Sequence, residues 1–221
     1  MILKEMIDLS HIIEDGLITY KGLPAPKICD FWSREYSRNY YEDQSTFHIG
    51  KIEMVANTGT YIDAPFHRYE DGEDFSSLSL EKLASIDGIL INATEVEDNM
   101  VPIDLFKGKD LENKAVLIQT NWSKHWQTDT YFENHPYLSA NAANFLVESH
   151  VKLVGIDSYN IDDSSSKVRP VHTALLGAGI PIVEHLCNLN KIKGRKFHFS
   201  AVPPKIKGLG SFPVRAYAVV E

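Results

Sequence analysis

Eleven consecutive residues, Asn57-Thr-Gly-Thr-Tyr61-Ile-Asp63-Ala-Pro65-Phe-His67, constrain this chain more than any other stretch. They follow an apolar run, Lys51 to Ala56, that reads as a strand, and they place Gly59, Asp63, Pro65 and His67 in a space too short for a regular helix. On an extended backbone alternate side chains share a face, so Asn57, Tyr61, Asp63 and His67 are expected to point one way. Gly59 admits a backbone conformation that a residue with a Cβ resists, and Pro65 fixes one φ between the carboxylate and the imidazole. The expected result is a preset distance between Asp63 and His67.

A chain of 221 residues can bury a sizeable core as one larger domain, and nothing in this sequence divides it. With 43% hydrophobic and 24% charged residues it has the balance of an ordinary globular protein, and no window is apolar and long enough to cross a bilayer, so no membrane role is expected. Met1 to Ser10 reads as a first strand; it lacks a basic region followed by a long apolar core, so a secretory signal is not expected. Cys29 and Cys187 stand far apart with no second cysteine near either, which argues against a zinc ribbon or a disulfide framework and for a reducing, cytoplasmic setting. The formal net charge is -8 and the lysines and arginines are dispersed, so the electrostatic footprint of nucleic-acid binding is missing.

Strands are expected at Met6 to Ile12, Phe47 to Ala56, Ile86 to Val96, Ala115 to Thr120, Val151 to Ile156, Ile180 to Val183, Lys196 to Val202 and Val214 to Val220. Ser79 and Ser139 are placed to cap helices running through Ala84 and from Ala140 to Ser149, and Pro102 to Phe106 reads as a short helix. The helix-then-strand order at 140–156 suggests an α/β unit. Tyr20 to Pro26 is too rich in Pro and Gly for regular structure, and 121–136 is an aromatic loop without a period. Phe31, Trp32 and Tyr36 to Tyr41 form an aromatic stretch that either lines a pocket for a flat substrate or covers an edge of the core.

The stretch at 57–67 resembles the signature His-x-Gly-Thr-His-x-Asp-x-Pro-x-His of the cyclase, or kynurenine formamidase, family of metal-dependent hydrolases. Gly59, Thr60, Asp63, Pro65 and His67 match; the two leading histidines are replaced by Asn57 and Tyr61. A second cluster, Val171-His172-Thr173 and Ile180-Pro-Ile-Val-Glu184-His185, is similar to the family's second metal-ligand pair. Asp8-Leu-Ser-His11, Val116 to Thr120, Val154 to Asp157 and Gly210 to Arg215 also resemble family segments, whereas Ser158-Tyr159-Asn160 stands where the family more often has Thr-Pro-Ser.

The resemblance implies a single α/β domain of the swivelling β/β/α type over residues 1–221, a mixed sheet with flanking helices, and a homo-oligomer. It further implies metal ligation by Asp63, His172 and Glu184 and proton transfer by His67, whose residue type titrates near neutrality when unperturbed. An amide oxygen and a neutral phenol are poor zinc ligands, so the family's other ion site is expected to fail at Asn57 and Tyr61, leaving one divalent ion per chain, zinc or manganese. Tyr61 is a candidate for a catalytic role through a hydrogen bond to Asp63 or to the bound water, and Asn57, Phe31, Trp32 and Trp122 are candidates for binding a small, aromatic substrate. The remaining histidines read as structural, with His11 and His185 the nearest to an exception. No serine-nucleophile elbow, phosphate-binding glycine loop or dinucleotide fingerprint occurs. The expected function is hydrolysis of a carbon-nitrogen bond in a small amide, N-formyl or cyclic amide, of arylformamidase type. A catalytically silent small-molecule-binding protein that keeps the pocket is the alternative.

Overall fold

The computed structural model describes residues 5–221; the expectations for Met1 to Lys4 lie outside the described residues. The strands are β1 (Glu5–Asp8), β2 (Lys27–Trp32), β3 (Ile49–Glu53), β4 (Tyr61–Asp63), β5 (Ile86–Asn92), β6 (Met100–Val101), β7 (Ala115–Gln119), β8 (Tyr137–Leu138), β9 (Leu153–Ile156), β10 (Ile182–Glu184), β11 (Phe197–Ser200), β12 (Ser211–Pro213) and β13 (Tyr217–Val220). The helices are α1 (Arg34–Ser37), α2 (Ala140–Glu148) and α3 (Pro170–Gly177).

Nine of the strands form one mixed sheet in the order β1-β13-β11-β5-β7-β9-β10-β4-β12. Its centre, β5 through β10, is parallel and its two flanks are antiparallel. The central strands β7, β9 and β10 are buried throughout, without a buried/exposed alternation, because both of their faces are covered. Leu117, Leu153 and Val183 point into one core with Phe197 and Phe199. Their neighbours Val116, Ile118, Val154, Ile156 and Ile182 point into the other, under Ala142, Leu146 and Leu175 of α2 and α3. This is the expected single α/β domain with a mixed sheet; the flanking helices are few.

Ser139 caps α2 as expected, its hydroxyl accepting the Ala142 N–H at 3.2 Å. The expected helices at 80–84 and 102–106 are single 3-10 turns, Leu80–Lys82 and Ile103–Leu105, and the aromatic loop contains two more, Trp122–His125 and Asp129–Phe132. Two elements differ more from expectation. The run before the signature does not enter the main sheet: β3 pairs only with β2, in a separate two-stranded ribbon. Nor is the signature one extended track. It is the short strand β4 followed by a 3-10 turn, Pro65–His67, in which Pro65 occupies the first position. Gly59 has φ +67°, the left-handed conformation for which its missing Cβ suits it.

Strand β12, which periodicity does not show, closes this end of the sheet. Ser211, Phe212 and Pro213 lie opposite Asp63, Ile62 and Tyr61, and the carbonyl of Gly210 accepts the Ala64 N–H at 2.7 Å. A Cβ on Gly210 would overlap the backbone nitrogen of His67. Gly210→Ala is therefore expected to force β12 away from the Pro65–His67 turn and to destabilise the protein by ~1–3 kcal/mol, the usual scale of overpacking. A thermal unfolding midpoint equal to that of the unmodified protein would show that the two segments are not tightly apposed.

Candidate active site

Register assembles the site. In the antiparallel pair β10–β4, Tyr61 lies opposite Glu184, and across β4–β12 Asp63 lies opposite Ser211. Tyr61 and Asp63 are two residues apart on one strand and share the helix-covered face, where Ile182 also points. Helix α3 crosses that face and brings in His172. Asp63, Glu184 and His172 are all buried.

Asp162, which the sequence did not single out, sets the orientation of His172. Its Oδ1 accepts the Val171 N–H at 2.8 Å, and its Oδ2 accepts the His172 N–H at 3.0 Å and His172 Nδ1 at 2.6 Å. One carboxylate thus satisfies free N–H groups at the start of α3 and binds the imidazole through Nδ1, which turns Nε2 toward Asp63. His172 Nε2 lies 3.6 Å from Asp63 Oδ2, too far for a hydrogen bond, and Asp63 Oδ2 is buried with no partner. Burial alone would lower the pKa of His172. The contacts to Asp162 and Asp63, with the negative charges of Glu184 and Asp63, outweigh it and raise the value to about 10.

An orphaned carboxylate oxygen facing an imidazole nitrogen at this distance fits a cation. Ligand atoms ~2.1 Å from one ion at a tetrahedral angle stand about 3.4 Å apart. Asp63, His67 and His172 form the group of ligand atoms whose mutual distances would let one ion reach all three.

Glu184 is more heavily engaged than its place in the sequence suggests. Oε1 accepts the Ile161 N–H at 2.6 Å, and Oε2 accepts the hydroxyls of Tyr61 and Tyr20, the latter at 3.2 Å. Oε1 keeps a second lone pair and lies 3.9 Å from His172 Nε2. Burial, then the charge of Asp63, raise the Glu184 pKa against the lowering effect of His172. The Tyr61 hydroxyl therefore bonds Glu184, and not Asp63, the first of the two partners expected for it, and it also meets the Tyr20 hydroxyl at 2.8 Å. Burial and the Glu184 charge hold both phenols well above their ordinary range, so both remain donors. Behind them His185 is fully buried, with Nδ1 2.8 Å from the Tyr131 hydroxyl; burial and the nearby His11 and His135 push its pKa well down and keep it neutral.

Ser211 links Asp63 to His67. Its hydroxyl donates to Asp63 Oδ1 and lies 2.8 Å from His67 Nδ1. A serine has one hydroxyl proton, so His67 Nδ1 is the donor in this contact and Nε2 is left free. His67 is 36% exposed and lines a cavity of about 240 Å³ with Tyr20, Asn57, Tyr61, Asn160 and His172. A larger open cleft of about 790 Å³, between His11, Trp126 and Asn190, lies apart from these residues.

Three expected substrate-binding residues are not in the cavity wall. Phe31 is 62% exposed on the β2–β3 ribbon, where Trp32 packs among Tyr36, Tyr40 and Phe47. Trp122 Nε1 donates to the Tyr131 carbonyl at 3.0 Å. These rings satisfy local packing and hydrogen bonding, which an aromatic pattern cannot distinguish from pocket lining. Tyr20, Asp162 and Ser211 were missed because each reaches the site from a segment without local periodicity. Only Ser211 had a signal, since it lies in a stretch resembling the family.

A family model described as putative cyclase matches residues 7–163. The chain belongs to this family. It is 28% identical to a kynurenine formamidase of Bacillus cereus over 218 residues, 96% of each chain. A solved structure described as a potential metal-dependent hydrolase with cyclase activity superposes with TM-score 0.80 at 26% identity, covering 99% of this chain and 98% of that one. Isatin hydrolase A of Labrenzia aggregata shares the fold, with TM-score 0.84 at 22% identity over 98% of this chain and 94% of that one. Among the described residues no helix is long and apolar enough to cross a membrane.

His172 gives the metal-free protein a defined pH response. Its pKa is raised on folding, so its stabilising contribution is complete below about 6.5, the unfolded value, and is lost as pH rises toward about 10. The metal-free protein is expected to show a falling melting temperature across that window, on the order of several degrees. Asp162→Asn should flatten this slope and lower stability throughout. A slope unchanged in the variant would separate His172 from the effect.

Proposed function

We propose that this chain is a metal-dependent hydrolase of a carbon-nitrogen bond in a small amide, N-formyl or cyclic amide substrate, arylformamidase-like, with residues 1–221 forming one cyclase-family domain. The observation that carries this reading is the buried, unpartnered Asp63 Oδ2 facing His172 Nε2 beside a small cavity. The kynurenine formamidase relatives support it.

One divalent ion, zinc or manganese, would be held by Asp63, His172 and Glu184; one nitrogen and two carboxylates suit either metal. Bound there, such an ion polarises a substrate carbonyl and acidifies water. His67 is assigned proton transfer in this reading: Ser211 holds its Nδ1 and leaves Nε2 free. Its Nε2 takes the proton from the attacking water and returns it to the leaving nitrogen. Ser211 is a positioning residue for that step. Tyr61, whose proton is spent on Glu184, orients that carboxylate and fills the place of the family's histidine, so no second ion is held there. Asn57 supplies an amide to the substrate from the cavity wall.

Protein purified without chelator should carry about one zinc or manganese per chain and hydrolyse members of a panel of formamides and lactams. Two ions per chain would refute the role given to Tyr61, and saturable binding without product under any metal would favour the silent binding protein. His67→Ala should retain the ion while kcat falls by ~100-fold, the usual scale for a positioned acid-base group. Loss of the ion in that variant would move His67 into the ligand set.

A further inference from the structure

The cavity beside Asp63 and His172 also has two arginines in its wall, Arg68 and Arg169. Both are fixed to the site by the chain itself: Arg68 follows His67, and Arg169 stands three residues before His172 at the start of α3. Each is tethered through one nitrogen. Arg68 Nη2 donates to Thr173 Oγ1 at 3.1 Å, and the Thr173 hydroxyl donates in turn to the Arg169 carbonyl at 2.7 Å. Arg169 Nη1 turns toward the carbonyls of Asp163, Ser166 and Val168. The other nitrogens of both groups have no hydrogen-bond partner among the described residues, and neither arginine is in an ion pair among them.

In a chain of net charge -8, with 30 acidic residues, both cations of this cavity wall lack an ion-pair partner among the described residues, and the hydrogen bonds that tie them to Thr173 and to the 163–168 loop use one nitrogen of each. A guanidinium held at one corner with its other N–H groups free presents the fork that carboxylates occupy. Leu23 contributes an apolar contact to the same wall, and the volume of about 240 Å³ falls below the ~300–1,000 Å³ of drug-sized sites, leaving room for one ring with short substituents.

Resting on the hydrolase reading for the reaction itself, we infer that the substrate is an anion: a small amide bearing a carboxylate, which Arg68 and Arg169 bind while the amide lies against Asp63, His67 and His172. The two arginines thereby select among amides by charge.

Two matched pairs of compounds test this. In turnover, 2-formamidobenzoate and formanilide differ by one carboxylate, and the metal-loaded enzyme should favour the former in kcat/KM by about tenfold or more, with the preference shrinking as salt rises. In binding, benzoate should associate more tightly than its neutral isostere benzamide by a similar factor, measured by calorimetry without any reaction. Arg68→Gln, an exposed position, should lower both ratios at least about threefold, and Arg68→Gln with Arg169→Gln should bring them near one. Because Arg169 also ties down its loop, Arg169→Lys is measured beside it and should retain part of the preference. Equal binding of benzoate and benzamide, or a preference that survives the double substitution, overturns the inference and assigns the carboxylate to the ion or His67. A benzoate preference abolished by the double substitution, without turnover of any amide, would uphold the anion site and refute the hydrolase reading instead.

Discussion

Three carboxylates, Asp63, Asp162 and Glu184, are buried around a single imidazole, and the cost of placing that much negative charge in the interior governs the surrounding structure. Each is compensated differently. Asp162 is saturated by two backbone N–H groups and His172 Nδ1. Glu184 takes one backbone N–H and two phenols. Asp63 receives only the Ser211 hydroxyl and keeps a bare oxygen. Unspent capacity for positive charge is therefore concentrated on the side of Asp63 that faces His172, and the raised His172 pKa expresses the same deficit as a retained proton. A divalent ion bound at this place would compete with that proton.

The replacement of a signature histidine by Tyr61 acquires a physical meaning in this setting. A phenol can donate one hydrogen bond but brings no nitrogen lone pair and, with its pKa pushed up by burial, no charge. Opposite Glu184 in the register of β4 and β10, it engages one carboxylate oxygen, which Tyr20 also reaches. Tyr131 and the neutral His185 extend this layer of uncharged donors and acceptors. The side of the site at Tyr61 is thus filled by a hydrogen-bonded aromatic layer, while Asp63 Oδ2 has no hydrogen-bond partner.

The mouth of the cavity has the opposite character. Asp63 and Glu184 are buried, whereas Arg68 is exposed and Arg169 half-buried in the cavity wall. The backbone that presents these groups is stiff. Pro65 starts the turn that carries His67, β12 packs against that turn through Gly210, and Asp162 fixes the first turn of α3.

Much of the architecture was legible in the sequence. The apolar runs at 115–120 and 151–156, the Ser139 cap and the helix after it are local patterns, and local patterns survive folding because period and burial are directly coupled. Asp63, His67, His172 and Glu184 were singled out through a motif and a spacing, and the fold brings them close to one another, with His67 and His172 in the cavity wall. Three aromatic residues, Phe31, Trp32 and Trp122, were given to the pocket on ring character alone and proved to satisfy local contacts elsewhere. Tertiary structure alone decided which polar atom answers which. That Tyr61 bonds Glu184 follows from the pairing of strands 123 residues apart, and that Ser211 holds His67 follows from a strand 144 residues away. The sequence determines which groups are present and which face of an element they occupy; hydrogen-bond partners across such distances depend on register and on the balance of buried charge, which exist only once the chain has folded.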